Sequence, residues 1–312
     1  MGSVVLPELP AMGAAFWRGV TPKPARPPAV ASQQVVVRGH RVEVGDLARY
    51  ARVCGFTLRD AMPPTWLHVL TFPLHIHLLA DPATTVPLAG LVHASNRMRL
   101  HRPVLLTEQL EISCGIGNLR PHRRGALLDL SGEIRVGDEL VWDGVSTYLS
   151  RGAKLDGPTA AAPPELPEPL SREAAGMAPQ ARDSSSPDAG RDPTVALWRL
   201  PSDLGRRYRD VSGDPNPIHT SVLAAKAFGF PRPIIHGMWT HARVLAALEN
   251  RLPGAYEVSV EFTKPILLPG TVGFTAIQRD GGWEAAVTTR DGSKPHLLAR
   301  IQPESPNESL LA

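Results

Sequence analysis

The sequence predicts an α+β fold built from two copies of one unit, each an antiparallel sheet laid over a helix. Three observations point there: a helix candidate followed by a run of strands, a set of internal matches, and a Pro/Ala-rich segment between the halves. The helix candidate is residues 237–252, GMWTHARVLAALENRL, where His241, Val244, Leu245, Leu248 and Leu252 recur at three- and four-residue steps. Partly alternating apolar runs follow at Tyr256–Thr263, Thr271–Gln278, Trp283–Thr289 and Leu297–Gln302. Pro269-Gly270, Asp280-Gly281-Gly282 and Asp291-Gly292 punctuate them as turns.

The internal matches come in one order. Tyr50-Ala-Arg-Val-Cys-Gly-Phe56 aligns with Tyr208-Arg-Asp-Val-Ser-Gly-Asp214 at an offset of 158. Pro73-Leu-His75 falls near Pro233-Ile-Ile-His236, and Arg102-Pro-Val-Leu-Leu106 matches Lys264-Pro-Ile-Leu-Leu268 at 162. Together they indicate a duplicated unit. The dividing segment, residues 151–192, holds seven prolines, nine alanines and no aromatic residue. It cannot bury enough apolar surface to offset its ordering entropy, so it reads as a linker. The Pro-rich run Thr21–Pro28 reads as a smaller loop of the same kind. The expected units are therefore 1–150, a linker at 151–192, and 193–312.

In the first unit, comparable strands are expected near Leu91–Leu100, Glu108–Cys114, Ala126–Val136 and Glu139–Leu149. Its helix is expected to be short, because only about eight residues separate Pro73 from Asp81-Pro82. A shortened helix would leave part of its sheet uncovered, with room for a ligand.

Composition narrows the classes. An apolar fraction of 43% with 20% charged residues is that of a soluble globular protein. No apolar run reaches the ~18 residues of a membrane helix, and the N-terminus lacks the pattern of an export signal. Cys54 and Cys114 alone make neither a disulfide framework nor a cysteine-rich zinc site, so a reducing cytoplasm is expected. A net charge of +3 is too small to indicate nucleic acid, although it suits an anionic thioester carrier. The basic clusters at Arg120–Arg124 and Arg206-Arg207 read as solvated faces. His68, His75 and His77 lie in an apolar run without a carboxylate or cysteine at ligand spacing, which favours packing over metal. His241 reads the same way. Gly115-Ile-Gly117-Asn-Leu-Arg120 fails the dinucleotide fingerprint at its third glycine.

Residues 208–221, YRDVSGDPNPIHTS, carry a carboxylate, an amide, an imidazole and two prolines with little apolar filling. Asp and Asn bond their own backbone and Pro fixes φ, so a stiff surface turn is one reading. The other is a catalytic loop. The first copy separates the two: it keeps Tyr50, Val53 and Gly55 but has Phe56 where the second has Asp214, with no Asn-Pro-x-His after it.

The run Gly213-Asp214-x-Asn216-Pro217-x-His219, followed by Gly229-Phe-Pro-Arg-Pro-Ile-Ile-His236-Gly237-Met238, resembles the signature of MaoC-like, hydratase-2 type enzymes. The whole chain resembles their double-hotdog members, whose N-terminal repeat has lost the catalytic residues. That resemblance implies reversible addition of water between trans-2-enoyl and (R)-3-hydroxyacyl thioesters of CoA or acyl carrier protein. It implies Asp214 and His219 as the catalytic pair, Asn216 as an orienting group, and the backbone N–H of Gly237 as the donor to the thioester oxygen. It implies a cofactor-free, metal-free lyase, monomeric or homodimeric, with the first repeat a structural, acyl-binding partner. The chemistry fits: one group must take a proton while another delivers one, and charge develops on the thioester oxygen. A hotdog thioesterase and a non-catalytic acyl-binding subunit are the competing readings.

Overall fold

Eleven strands form one continuous sheet whose order displays the duplication. In the computed structural model, residues 2–21, 27–88, 90–151, 153–157, 159 and 194–304 are described. One half runs β2 (Gln34–His40), β4 (Leu110–His122), β5 (Gly125–Val136), β6 (Glu139–Ser150), β3 (Leu91–Leu100). The other runs β7 (Thr194–Leu200), β9 (Gly270–Arg279), β10 (Gly282–Thr289), β11 (Pro295–Pro303), β8 (Tyr256–Phe262) in the equivalent order. The halves join where β3 and β8 pair antiparallel, from Ser95 opposite Glu261 to Leu100 opposite Tyr256. A short β1 (Ser3–Leu6) adds parallel to β2 at the outer edge. Alternate residues of β4 and β8 turn inward, the period-two pattern of a half-buried strand. The expected strands are all present; β4 runs eight residues beyond the expected Cys114.

The glycines of the first match carry a shared turn. Helix α2 (Val44–Cys54) ends at Gly55 with φ +84°, and α4 (Leu204–Ser212) ends at Gly213 with φ +71°. Each glycine donates its N–H to the carbonyl four residues back, Ala51 or Arg209. Only glycine takes this left-handed cap without steric cost. The matched tyrosines, Tyr50 and Tyr208, are buried with ring centroids 6.2 Å apart, so the two copies meet through them.

The first copy's helix is not shortened. Helix α3 spans Pro64–Ala80, 17 residues, against 12 for α6 (Gly237–Leu248) in the second copy. Pro64 occupies the first turn, where the missing N–H costs nothing. Pro73 lies inside the helix rather than at its start. It removes one backbone hydrogen bond, and burial on nearly every side holds the helix regardless, as for any helix that is apolar all round. The short helix from which an uncovered sheet and a ligand gap would follow is therefore not what the structure has.

The Pro73–His75 match fails for the same reason. The equivalent backbone bonds are Met62 N–H to Val104 O and Ile235 N–H to Ile266 O, with Leu106 to Asp60 and Leu268 to Pro233 beside them. They equate Pro63 with His236, each the residue before its helix with nearly the same φ and ψ. They also equate Trp66-Leu-His68 with Trp239-Thr-His241. The offset thus changes from 158 to 173, because the second copy has fifteen more residues between Gly213 and Pro233 than the first has between Gly55 and Asp60.

The linker expected over 151–192 falls almost wholly outside the described residues, as does most of Thr21–Pro28. No helix among the described residues is long and apolar enough to cross a membrane. In the first copy α3 is seated on the sheet through Trp142, fully buried on β6, and Thr71, both packed against Gly132. Replacing Trp142 with Ala should cost about 3–5 kcal/mol in urea unfolding; a loss below about 1 kcal/mol would show that this packing does not support the sheet.

Candidate active site

The second copy's additional residues form the loop that closes over the start of α6. It opens at Gly213, whose left-handed cap ends α4 and turns the chain into Asp214. Asp214 Oδ1 accepts the backbone N–H of Asn216 at 2.9 Å, an Asx turn. Asn216 caps a single 3-10 turn, Pro217–His219, its Oδ1 accepting from Ile218 N–H at 3.3 Å. Pro217 at the first position of that turn has its φ already set. Helix α5 (Val222–Ala227) follows, with Ser221 capping it through Ala224 N–H. The chain then returns to the sheet, where Ile234 bridges to Leu267.

His219 is held from its far side. Its Nδ1 lies 2.8 Å from the carbonyl oxygen of Ile234. A carbonyl can only accept, so Nδ1 carries the proton and Nε2 presents its lone pair. His219 is 8% exposed, while the Asp214 side chain retains 20%. Gly205 on α4 permits this placement, because a Cβ there would collide with the carbonyl oxygen of His219. Burial lowers the His219 pKa below 6.5, opposed by the Asp214 charge and the Ile234 carbonyl. Burial raises that of Asp214, opposed by His219 and the Asn216 N–H. Both shifts favour the uncharged forms.

His236 completes the group. It sits immediately before α6, 3% exposed, with its ring stacked on His219 at 3.6 Å between centroids. Its Nε2 is 3.7 Å from Asp214 Oδ2, and among the described residues neither ring nitrogen has a hydrogen-bond partner. Burial, then the neighbouring His219 and Arg209 charges, hold it neutral. Next to it, Gly237 begins the helix with its N–H unsatisfied by the helix itself. A Cβ at Gly237 would come within 2.9 Å of the Phe262 ring, so the bare backbone is required there. The structure therefore brings Asp214, Asn216, His219 and Gly237 into one site and adds His236. Its signal in the sequence was position alone, the residue before a helix-opening glycine.

Donor atoms of Asp214, His219 and His236 lie within 4.8 Å of one another, near enough to share one divalent cation.

Comparison with known proteins identifies the group. Residues 183–294 match the MaoC like domain. The chain is 33% identical over 285 residues to 3-hydroxyacyl-thioester dehydratase X of Mycobacterium tuberculosis, covering 91% of this chain and 94% of the relative. The chain belongs to the MaoC-like dehydratase family. It is a hydro-lyase of the double-hotdog type. The solved structure of HtdX from Mycobacterium tuberculosis superposes with a TM-score of 0.68 at 32% identity, over 87% of this chain and all of that one. A second Mycobacterium tuberculosis protein, described as a double hotdog, shares the fold at a TM-score of 0.54 and 16% identity, over 88% of this chain and 97% of that one.

The other sequence candidates fall elsewhere. His68 and His75 are buried on α3 and His77 is half-buried, and among the described residues none of them belongs to a group of donors close enough to hold a metal ion. His241 is fully buried on α6. Gly115–Arg120 lies within β4, with Arg120 paired to Asp129, and Arg206 and Arg207 face solvent. Burial depresses His75 to about 4, and His93 and His241 to about 3. The unfolded chain takes up these protons near pH 6.5 and the folded chain refuses them, so this stability is present above pH 6.5 and drains away below it. Urea unfolding should therefore weaken progressively from pH 6.5 toward about 4, and replacing His241 with Leu should flatten that slope. An unchanged slope would show that these imidazoles are solvated.

Proposed function

We propose that this hydro-lyase interconverts trans-2-enoyl and (R)-3-hydroxyacyl thioesters, carried on CoA or acyl carrier protein, at Asp214 and His219. The observation carrying this reading is the His219 Nδ1 contact with the Ile234 carbonyl, which leaves Nε2 as a base beside a carboxyl whose pKa is raised. In elimination, neutral His219 takes the α-proton through Nε2. The acid form of Asp214 hands a proton to the departing hydroxyl, which leaves as water. The resulting imidazolium and carboxylate are the states that hydration needs: Asp214 takes a proton from water and His219 returns one to the α-carbon. Charge on the thioester oxygen is met by the Gly237 N–H and the positive end of α6. Asn216 shapes the Asp214 turn through its backbone N–H, and its side-chain amide is the group we assign to orienting the water.

The first repeat, residues 1–150, serves in this reading as scaffold and acyl-binding partner, joined through 151–192 to the catalytic repeat, 193–312. Its α2–α3 connection lacks the additional residues that carry the acid and the base. The two buried free thiols, Cys54 and Cys114, agree with a reducing cytoplasm.

Asp214→Asn and His219→Gln, each confirmed as folded by circular dichroism, should each lower crotonyl-CoA hydration by at least about a hundredfold, the scale of a lost general acid or base. Either variant working at the wild-type rate overturns the assignment. Free thiol released from acyl-CoA would instead mark a thioesterase. Activity lost to a chelator and restored by zinc would transfer the chemistry to a cation on Asp214, His219 and His236.

A further inference from the structure

Away from the Asp214–His219 loop, the protein buries His68, His75 and His241 and sets the half-buried His93 against them. His68 lies 6.2 Å from His75 and 6.5 Å from His93, measured between ring centroids. His241 is near enough to His68 and His93 to be coupled to both electrostatically. A core built for packing alone would not be furnished this way, because each neutral imidazole brings a donor and an acceptor to satisfy. Several have no partner among the described residues. His75 donates Nε2–H to the Ser131 carbonyl at 3.0 Å, leaving Nδ1 as an unanswered acceptor. His93 is held by the Ser95 backbone, leaving Nε2 unanswered, and neither nitrogen of His241 has a partner. Leaving such groups buried and unmet costs about as much as a lost hydrogen bond.

The cluster is continuous with the catalytic site. His241 is four residues after Gly237 on α6, so both occupy one helix face, about one turn (~5 Å) apart. Phe262, which packs on Gly237, has its ring centroid 4.7 Å from that of His93. Tyr148 stacks on His93 at 4.4 Å, and its acidity is reduced by the Asp214 charge after that of burial itself. Tyr148, His93 and Phe262 are half-buried, whereas His68, His75 and His241 behind them are buried. A chain of ring contacts thus runs from Phe262, beside Gly237, through His93 and Tyr148 to imidazole nitrogens that lack a partner among the described residues.

We propose that these histidines form the inner end of the acyl-chain site, and that the preferred thioester carries a hydroxyl group on its chain. The inference rests on the thioester reading above. Aromatic Tyr148 and Phe262 would hold the methylene part, while a hydroxyl further in donates to His75 Nδ1 or His93 Nε2 and accepts from His241. A ketone could only accept, and a plain alkyl chain would leave all of these nitrogens unpaired. A site built to hydrogen-bond a hydroxyl rejects the analogue lacking it far more strongly than an apolar pocket discriminates one methylene.

The test compares kcat/KM for crotonyl-CoA, a straight-chain enoyl-CoA long enough to reach the cluster, and length-matched analogues bearing a hydroxyl or a keto group along the chain. The wild type should prefer the hydroxylated chain to the alkyl chain by about tenfold or more, with the ketone between them. His241→Leu should invert that ratio, and His241→Gln, which keeps a donor and an acceptor, should retain part of it. If the leucine variant does not fold, the wild type and the glutamine variant decide. A wild type that favours the alkyl chain, or an unchanged ratio in a folded leucine variant, overturns the inference. Turnover without a hydroxyl preference overturns only this proposal, whereas no turnover of any of these thioesters overturns the hydratase reading itself.

Discussion

The hydrogen bond from His219 Nδ1 to the Ile234 carbonyl is the contact on which the site depends. It settles which imidazole nitrogen faces the Asp214 side of the loop, and it ties the loop to the segment leading into α6. Ile234 is in turn fixed by its bridge to Leu267 and by Ile235 N–H to the Ile266 carbonyl. His219, Gly237 three residues beyond Ile234, and the sheet are therefore positioned by one short stretch of backbone. Gly205 lets α4 approach this carbonyl-bound histidine, and Gly213 sends the chain from α4 into Asp214.

Duplication sets two similar halves side by side in one sheet. The β3–β8 junction and the Tyr50–Tyr208 contact join the two repeats. Both copies keep the left-handed glycine, the paired backbone clasp and the Trp-x-His start of the central helix. They differ in the connection between helices, where the second copy alone has length enough for an Asx turn, a 3-10 turn and α5. The strand order is shared by the two halves, whereas this connection and the length of the central helix are not.

The features legible in the sequence were those written locally. Asp214, Asn216 and His219 stand in an uninterrupted run, and Gly213 matches Gly55 within a conserved framework of Tyr, Val and Gly. Pro73 in the first copy suggests a helix beginning there, since proline is tolerated in a first turn, but burial carries the helix through it. Pro63-Pro64 was the true start. The Trp66/Trp239 and His68/His241 equivalence escaped because the loop shifts the offset by fifteen residues, so a constant-offset comparison slides past it. His236 could not be identified by type or spacing alone. Its stacking on His219 arises from tertiary placement, as does the meeting of His68 and His75 with His93 and His241 from another strand and helix.

The account stands on the protonation state of one ring. Nitrogen NMR of His219 in the free enzyme at neutral pH reports it directly, with the His219→Gln spectrum supplying the assignment. The account predicts a neutral ring with the proton on Nδ1, becoming charged only below pH 6.5. A ring protonated on Nε2, or an imidazolium at neutral pH, would contradict it.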